Sequence, residues 1–309
     1  MKIYGDISKE SRITEQGTAM ALGKFDGLHR GHRLLIDMVV RENINNLMPA
    51  VFTFARAPRE LLEKSRQKYI LTATEKRLFM EKSGIHILVE QPLIESILRM
   101  EPESFVKEIL VERMNVKKIF CGTDFHFGHK RRGDVELLRQ LESKYGYETI
   151  VVNKLKYGER EISSTYIKEE IEKGAIKLMN ELLGYPYTVI GVVTKGKRLG
   201  RTLGFPTVNI IPEEDKLLPP NGVYFTNAII DGNSYPAVTN VGIRPSVDGD
   251  AKVNIETHIL DFSMDVYGKT LELQFLQFER EEMKFNSVEE LKSAVHNDIV
   301  LRKGMNKAI

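Results

Sequence analysis

Short apolar runs alternate with amphipathic stretches through the first half of the chain, and this pattern changes near residue 184. The run at 18–22 has no polar face, as expected of a strand covered on both sides, and the runs at 50–54, 85–90, 118–122 and 149–153 are further strand candidates. Between them, 74–83, 103–113 and 134–145 space their apolar residues as helices do. Thr72 and Glu75 form a capping box for the first, and Pro102 opens the second. The stretch from His32 to Arg41 repeats the pattern with Leu34, Leu35, Met38 and Val39. Alternating strand and helix predict an α/β domain with a parallel sheet, whose ligands sit at the carboxyl ends of the strands.

After Gly184 the extended runs follow one another directly, at 187–193, 206–210, 222–230, 235–241, 252–260 and 271–278, with Gly, Pro and Asn between them. Six such runs predict an antiparallel six-stranded β-barrel. A C-terminal helix over 287–301 follows, announced by Ser287 and Glu290 as a capping box. No repeat or low-complexity linker separates the halves, so two abutting domains are expected, 1–184 and 185–309.

At 309 residues each half has room for its own core. With 42% hydrophobic and 28% charged residues the composition is that of a packed chain rather than a disordered one. No apolar run approaches the roughly 20 residues that cross a bilayer, and 1–17 lacks the apolar core of an export signal. The sole cysteine, Cys121, excludes an intrachain disulfide and ends an apolar run as a small core residue. A cytoplasmic protein with no membrane partner is expected. A net charge of +2 is too small to argue for nucleic acid. The dense basic group His129-Lys130-Arg131-Arg132, between Gly128 and Gly133, reads either as a solvated loop or as a phosphate grip.

The densest chemistry lies in Gly23-Lys24-Phe25-Asp26-Gly27-Leu28-His29-Arg30-Gly31-His32, between a predicted strand and a predicted helix. Such a loop aims backbone amides and the positive end of a helix at one point, where a nucleotide phosphate is favoured. Gly27 and Gly31 permit a tight turn and close ligand approach. His29 and His32, three apart at a helix start, project to one side and can donate to negative charge developing on a phosphoryl group. The segment Gly122-Thr123-Asp124-Phe125-His126-Phe127-Gly128 also follows a strand end, with its phenylalanines readable as core anchors. Ile162-Ser163-Ser164-Thr165 caps a further helical run.

In the second half, the stretch from Gly196 to Asn209 holds Gly200, Arg201, Gly204, Thr207 and Asn209, and its glycines and cations suit a triphosphate. Thr207 and Asn209 are two apart, share a strand face and offer hard oxygen ligands for Mg²⁺. Glu256 and His258 share a face in the same way, and a solvated pair is the plain alternative.

These motifs carry a resemblance. The loop at 23–32 resembles the G-x-F-D-G-x-H-x-G-H signature of nucleotidyltransferases in their FAD synthetase branch, with a Rossmann-like fold. The segments at 122–128 and 162–165 look like that family's G-x-[DN]-F-x-F-G and I-S-S-T pieces. The resemblance implies nucleotide contacts at Gly23, Phe25, Asp26, Gly31, Asp124, Ser164 and Thr165, with His29 and His32 catalytic. The stretch 200–209 resembles the riboflavin kinase signature G-R-T-x-G-x-P-T-x-N. The segment 256–262 matches E-x-H-[IL]-L-D-F, whose glutamate, here Glu256, is taken as general base. Asn240 and Arg280 also fit the kinase pattern. Along its whole length the chain thus resembles the bacterial bifunctional riboflavin kinase/FMN adenylyltransferase (FAD synthetase) family. The implied substrates are riboflavin, FMN and ATP, the cofactor Mg²⁺, and the products FMN and FAD.

Three positions depart from the pattern: Ala57 stands where a histidine is usual, Glu161 where a basic residue is usual, and Lys168 where arginine is common. Two competing readings stand beside this one, the first resting on Ala57 and Glu161 and the second on the cations of Lys195 to Arg201. One is a riboflavin kinase whose first domain only binds nucleotide or regulates. The other makes the barrel an oligonucleotide-binding module, and the lack of stacking aromatics in 195–201 counts against it.

Overall fold

The computed structural model describes residues 1–55, 67–194, 200, 203–244 and 252–305. Ala57, Arg201 and the cations at 195–198 lie outside the described residues. The chain divides into two compact units, Met1–Ser164 and Thr165–Ile309.

The first unit holds a six-stranded parallel sheet of β1 (Lys2–Tyr4), β2 (Thr18–Leu22), β3 (Met48–Phe54), β4 (Ile87–Gln91), β5 (Val116–Gly122) and β6 (Glu148–Val152), in the order β1-β4-β3-β2-β5-β6. Alternation along each strand divides its apolar residues between two cores. Met20, Leu22, Phe52, Val89, Ile119 and Cys121 join one core with α3 (Phe105–Arg113) and α4 (Val135–Tyr145). Ala19, Ala21, Val51, Leu88 and Phe120 join the other with α1 (Arg30–Arg41) and Met80 of α2 (Ala73–Lys82). Cys121 is fully buried, and burial pushes its thiol up to about 12. The strand order reverses at β2, which pairs with β3 on one side and β5 on the other. The loop leaving β2 therefore opens onto the crevice where ligands of such sheets bind.

Helix 103–113 is wound more widely than the sequence reading expects: the Met114 amide donates to the Ile109 carbonyl at 3.2 Å, a π-type step. The capping box of α2 is complete, with Thr72 and Glu75 bonded reciprocally.

In the second unit α5 (Ser164–Glu172) leads to α6 (Ile176–Leu183), whose Asn180 accepts from the Tyr187 amide and donates to the Phe275 carbonyl. The first unit ends with a small pair of strands, β7 (Lys156–Tyr157) and β8 (Arg160–Glu161), and the second continues as a closed barrel made of β9 (Tyr187–Thr194), β10 (Val208–Ile210), β11 (Gly222–Ile230), β12 (Asn233–Arg244), β13 (Lys252–Ile259) and β14 (Thr270–Arg280). Its interior holds Tyr224, Val241, Ile255, Leu273 and Phe275, all nearly or fully buried, and a hydroxyl ladder from Thr226 through Thr239 to Thr257 at 2.8 and 3.0 Å. Closure leaves the barrel without free sheet edges. The final helix, α7 (Val288–Met305), lies on the outside, where its Ile299 and Met305 pack on Val223, Phe225, Val238 and Leu260.

Candidate functional site

Each unit gathers its own polar site. In the first, the loop after β2 is pinned at several points. Thr53 donates to the Lys24 carbonyl at 3.1 Å, Asp26 accepts from the Ile70 amide at 3.0 Å, and the Ser164 hydroxyl donates to the Asp26 carbonyl at 2.8 Å. The pinning holds a strained backbone: Phe25, Gly27 and Leu28 have φ of 51°, 84° and 40°. Left-handed geometry at a non-glycine residue costs on the order of 1–3 kcal/mol and persists where surroundings impose it. Phe25 is fully buried, with its ring centroid 5.2 Å from that of His32.

His29 caps α1, its Nδ1 accepting from the His32 amide at 3.4 Å. An accepting Nδ1 leaves the His29 proton on Nε2, so that nitrogen is the donor. The two imidazoles stack with centroids 3.7 Å apart, and a side chain at Gly31 would press on the His29 ring at 3.3 Å. Burial holds His29 down at about 4 and His32 well below the ordinary histidine range, with His29 adding to the second shift. Both are neutral hydrogen-bond donors near pH 7. The Nδ1 of His32 is buried without a protein partner.

At the neighbouring strand ends, Asp124 is exposed and paired with Lys154 at 2.9 Å, and the same ammonium reaches Glu161 at 3.1 Å. Glu161 is thus neutralised by a residue that the sequence reading did not single out. The two carboxylates hold Lys154 above the ordinary lysine range. Phe127 is an anchor in the core beside Phe105, while Phe125, stacked on it, is half-buried. Thr165 is exposed at the start of α5. In the basic loop, Arg132 is committed to Glu101 through both carboxylate oxygens, and Lys130 and Arg131 have φ of 52° and 59°.

In the second unit, strand register builds the site. Asn209 stands opposite Glu256, Glu256 opposite Asn240, Asn240 opposite Val223, and Val223 opposite Arg280. Directly opposed residues of antiparallel strands share a face, so one row crosses β10, β13, β12, β11 and β14. Val223 belongs to the cluster under α7, which puts this row on the outer face of the barrel.

Asn254 links the row, donating to Asn209 at 3.2 Å and to Glu256 at 3.1 Å. His258 Nδ1 donates to the Pro206 carbonyl at 2.8 Å and so fixes the approach to half-buried Thr207. Gly200 is required by close packing, since a Cβ there would lie 2.5 Å from the Phe205 carbonyl oxygen. Gly204 is left-handed, with φ of 92°. Arg280 forms a two-point ion pair with buried Asp298 of α7, which joins the end of β14 to that helix. An open cleft of about 660 Å³ lies beside this face, between Leu203, Gly204 and Phe205 on one side and Lys292, His296, Asn297 and Val300 of α7 on the other.

The two halves match separate family models, FAD synthetase over residues 11–166 and riboflavin kinase over 183–305. The chain belongs to the bifunctional riboflavin kinase/FMN adenylyltransferase family. It is 34% identical to the family member of Listeria monocytogenes, over 92% of this chain and 91% of that one. The protein of Escherichia coli K12 is 32% identical, over 96% of each. A solved structure described as a macrolide-efflux protein from Streptococcus pneumoniae superposes with a TM-score of 0.87 at 28% identity, covering 98% of this chain and 99% of that one. In the present member of the family, no helix among the described residues is long and apolar enough to cross a membrane.

Proposed function

We propose that the barrel phosphorylates riboflavin to FMN with ATP, and that the first unit transfers an adenylyl group from a second ATP to FMN, giving FAD and pyrophosphate. The observation that supports this reading is that each matched segment carries a polar cluster of its own, the stacked His29 and His32 in the first and the row Asn209, Glu256 and Asn240 in the second. The adenylyltransferase domain is taken to run over 1–184 and the kinase domain over 185–309, a reading supported by the start of the kinase match at residue 183.

In the barrel, Glu256 accepts the proton of the ribityl 5′-hydroxyl as that oxygen attacks the γ-phosphorus of ATP, and ADP leaves. Such transfer needs mainly positioning and charge neutralisation, with one base to orient the nucleophile. Gly200, Arg201 and Gly204 belong to the segment that receives the triphosphate. Asn209 and Thr207 fit Mg²⁺: both are hard oxygen donors on one face, and Asn254 turns the Asn209 amide by donating to its Oδ1. Thr207 and Asn209 would hold Mg²⁺ there, and the ion would supply charge neutralisation for the triphosphate. Asn240 orients the flavin chain beside Glu256, and Arg280 supports the segment leading to α7.

In the first unit, the FMN phosphate attacks the α-phosphorus of ATP in line. Stacked His29 and His32 donate, as neutral imidazoles, to the charge that grows on the phosphoryl oxygens and the departing pyrophosphate. Gly23, Phe25, Asp26 and Gly31 shape the loop, Ser164 and Thr165 close it, and Asp124 binds the nucleotide with Lys154 behind it. No covalent intermediate with the protein is required. The sole cysteine, buried and unpaired, suits a cytoplasmic setting for this chemistry.

Single substitutions test the separation of sites. His32→Ala lowers FAD formation from FMN by about 10²-fold or more and leaves riboflavin phosphorylation unchanged. Glu256→Ala does the reverse. Equal loss of both activities in either variant would refute two independent sites.

A further inference from the structure

Between β14 and α7, residues 281–286 run across the outer face of the barrel without regular structure. Both ends of the segment are fastened: Arg280 is paired with Asp298, and the Asn286 amide donates to Glu290 at 2.8 Å. From this segment Glu282 reaches back over β12, and its Oε1 accepts from Asn240 Nδ2 at 3.1 Å. The carboxylate lies so low over the strand that a Cβ at Gly242 would stand 2.4 Å from the same oxygen. Asn240 and Gly242 are two apart on one strand face, and Asn240 is opposite Glu256. The polar row therefore continues as Asn209, Glu256, Asn240 and Glu282, with a carboxylate on either side of one amide.

Two ionised carboxylates are acceptors only, and together they repel an anion. The part of a ligand that lies between them must be uncharged and rich in hydroxyl donors, unlike the triphosphate near Gly200. We propose that Glu282 is a second carboxylate of the kinase site, which selects the flavin's polyol chain by accepting a hydrogen bond from a hydroxyl other than the one activated by Glu256. The inference rests on the kinase reading of the barrel. In the free protein the Asn240 amide holds this carboxylate in place, and binding exchanges that contact for a ligand hydroxyl. The absence of a side chain at Gly242 is what lets the carboxylate come low enough.

The test compares the full chain with its Glu282→Ala, Glu282→Gln and Gly242→Ala variants. Gly242→Ala displaces the end of the flexible, exposed Glu282 side chain and also presses on Asn240 Nδ2 at 3.2 Å, so it breaks the contact between them from the opposite direction without removing the carboxylate. A hydrogen bond to a charged group corresponds to a change of about tenfold or more. The riboflavin KM is expected to rise by about that factor in Glu282→Ala and Gly242→Ala with kcat held, and less in Glu282→Gln, whose amide oxygen still accepts. Affinity for lumiflavin, the same ring with a methyl group in place of the polyol, is expected to stay unchanged by fluorescence titration. FAD formation from supplied FMN provides the internal control. A riboflavin KM within about twofold of the unaltered protein, or a parallel loss of lumiflavin affinity, overturns the proposal. Failure of the unaltered protein to phosphorylate riboflavin overturns instead the kinase reading beneath it.

Discussion

Burial of His29 and His32 ties catalysis and stability to the same pair of protons. The unfolded chain protonates histidine near 6.5, whereas folded His29 does so only at about 4 and His32 lower still. Between those values the unfolded state binds more protons, so stability is complete above 6.5 and declines as pH falls. The unfolding midpoint of the first unit is expected to drop from pH 7 to pH 5, and His29→Asn to flatten that slope, as thermal melts at the two pH values would show. An unchanged slope would mean that the imidazoles are open to water. Lys154 has a different role, as the cation shared by Asp124 and Glu161. Lys154→Ala is expected to raise the KM values of FAD formation several-fold with riboflavin phosphorylation unaltered, as steady-state assays of each half-reaction would report. His29, His32, Glu256 and Asn209 could be singled out as candidates from the sequence because each lies in a dense local pattern. Lys154 and Glu282 were not, because their partners are distant in sequence and meet only through strand ends and a returning segment.

At the scale of elements, the barrel strands were readable from their length and the Gly, Pro and Asn between them. The five apolar runs of the first half likewise became β2 to β6, four of them internal strands and β6 an edge of the sheet. The three-residue edge strand β1 was missed, being short and mostly exposed, and so was α6, an eight-residue helix whose buried Ile176, Met179, Leu182 and Leu183 do keep helical spacing but over only two turns. The π-type winding of α3 has no signal in the pattern of its side chains. The last helix was predicted, but not its means of attachment. Arg302, 1% exposed, donates to the Thr226 carbonyl and to Asn227 Oδ1 from inside the contact between α7 and β11. Arg302→Met takes the donor from the buried Thr226 carbonyl and from half-buried Asn227, a loss of about 2 kcal/mol. Denaturant melts of the barrel unit are expected to show it, with FAD formation from FMN preserved. A stability change confined to the first unit would contradict that assignment.

For the whole molecule, the order of chemistry reverses the order of the chain: the second unit makes the substrate of the first. The departure at Glu161 is answered within its own unit by Lys154, which argues for a working adenylyltransferase rather than a nucleotide-binding remnant. The most direct measurement is a time course of the purified protein with riboflavin, ATP and Mg²⁺, separating flavins by chromatography and recording pyrophosphate. With both sites at work, FMN is expected to rise first, FAD to follow, and pyrophosphate to appear mole for mole with FAD. FMN accumulating alone in excess ATP, with no pyrophosphate, would contradict it.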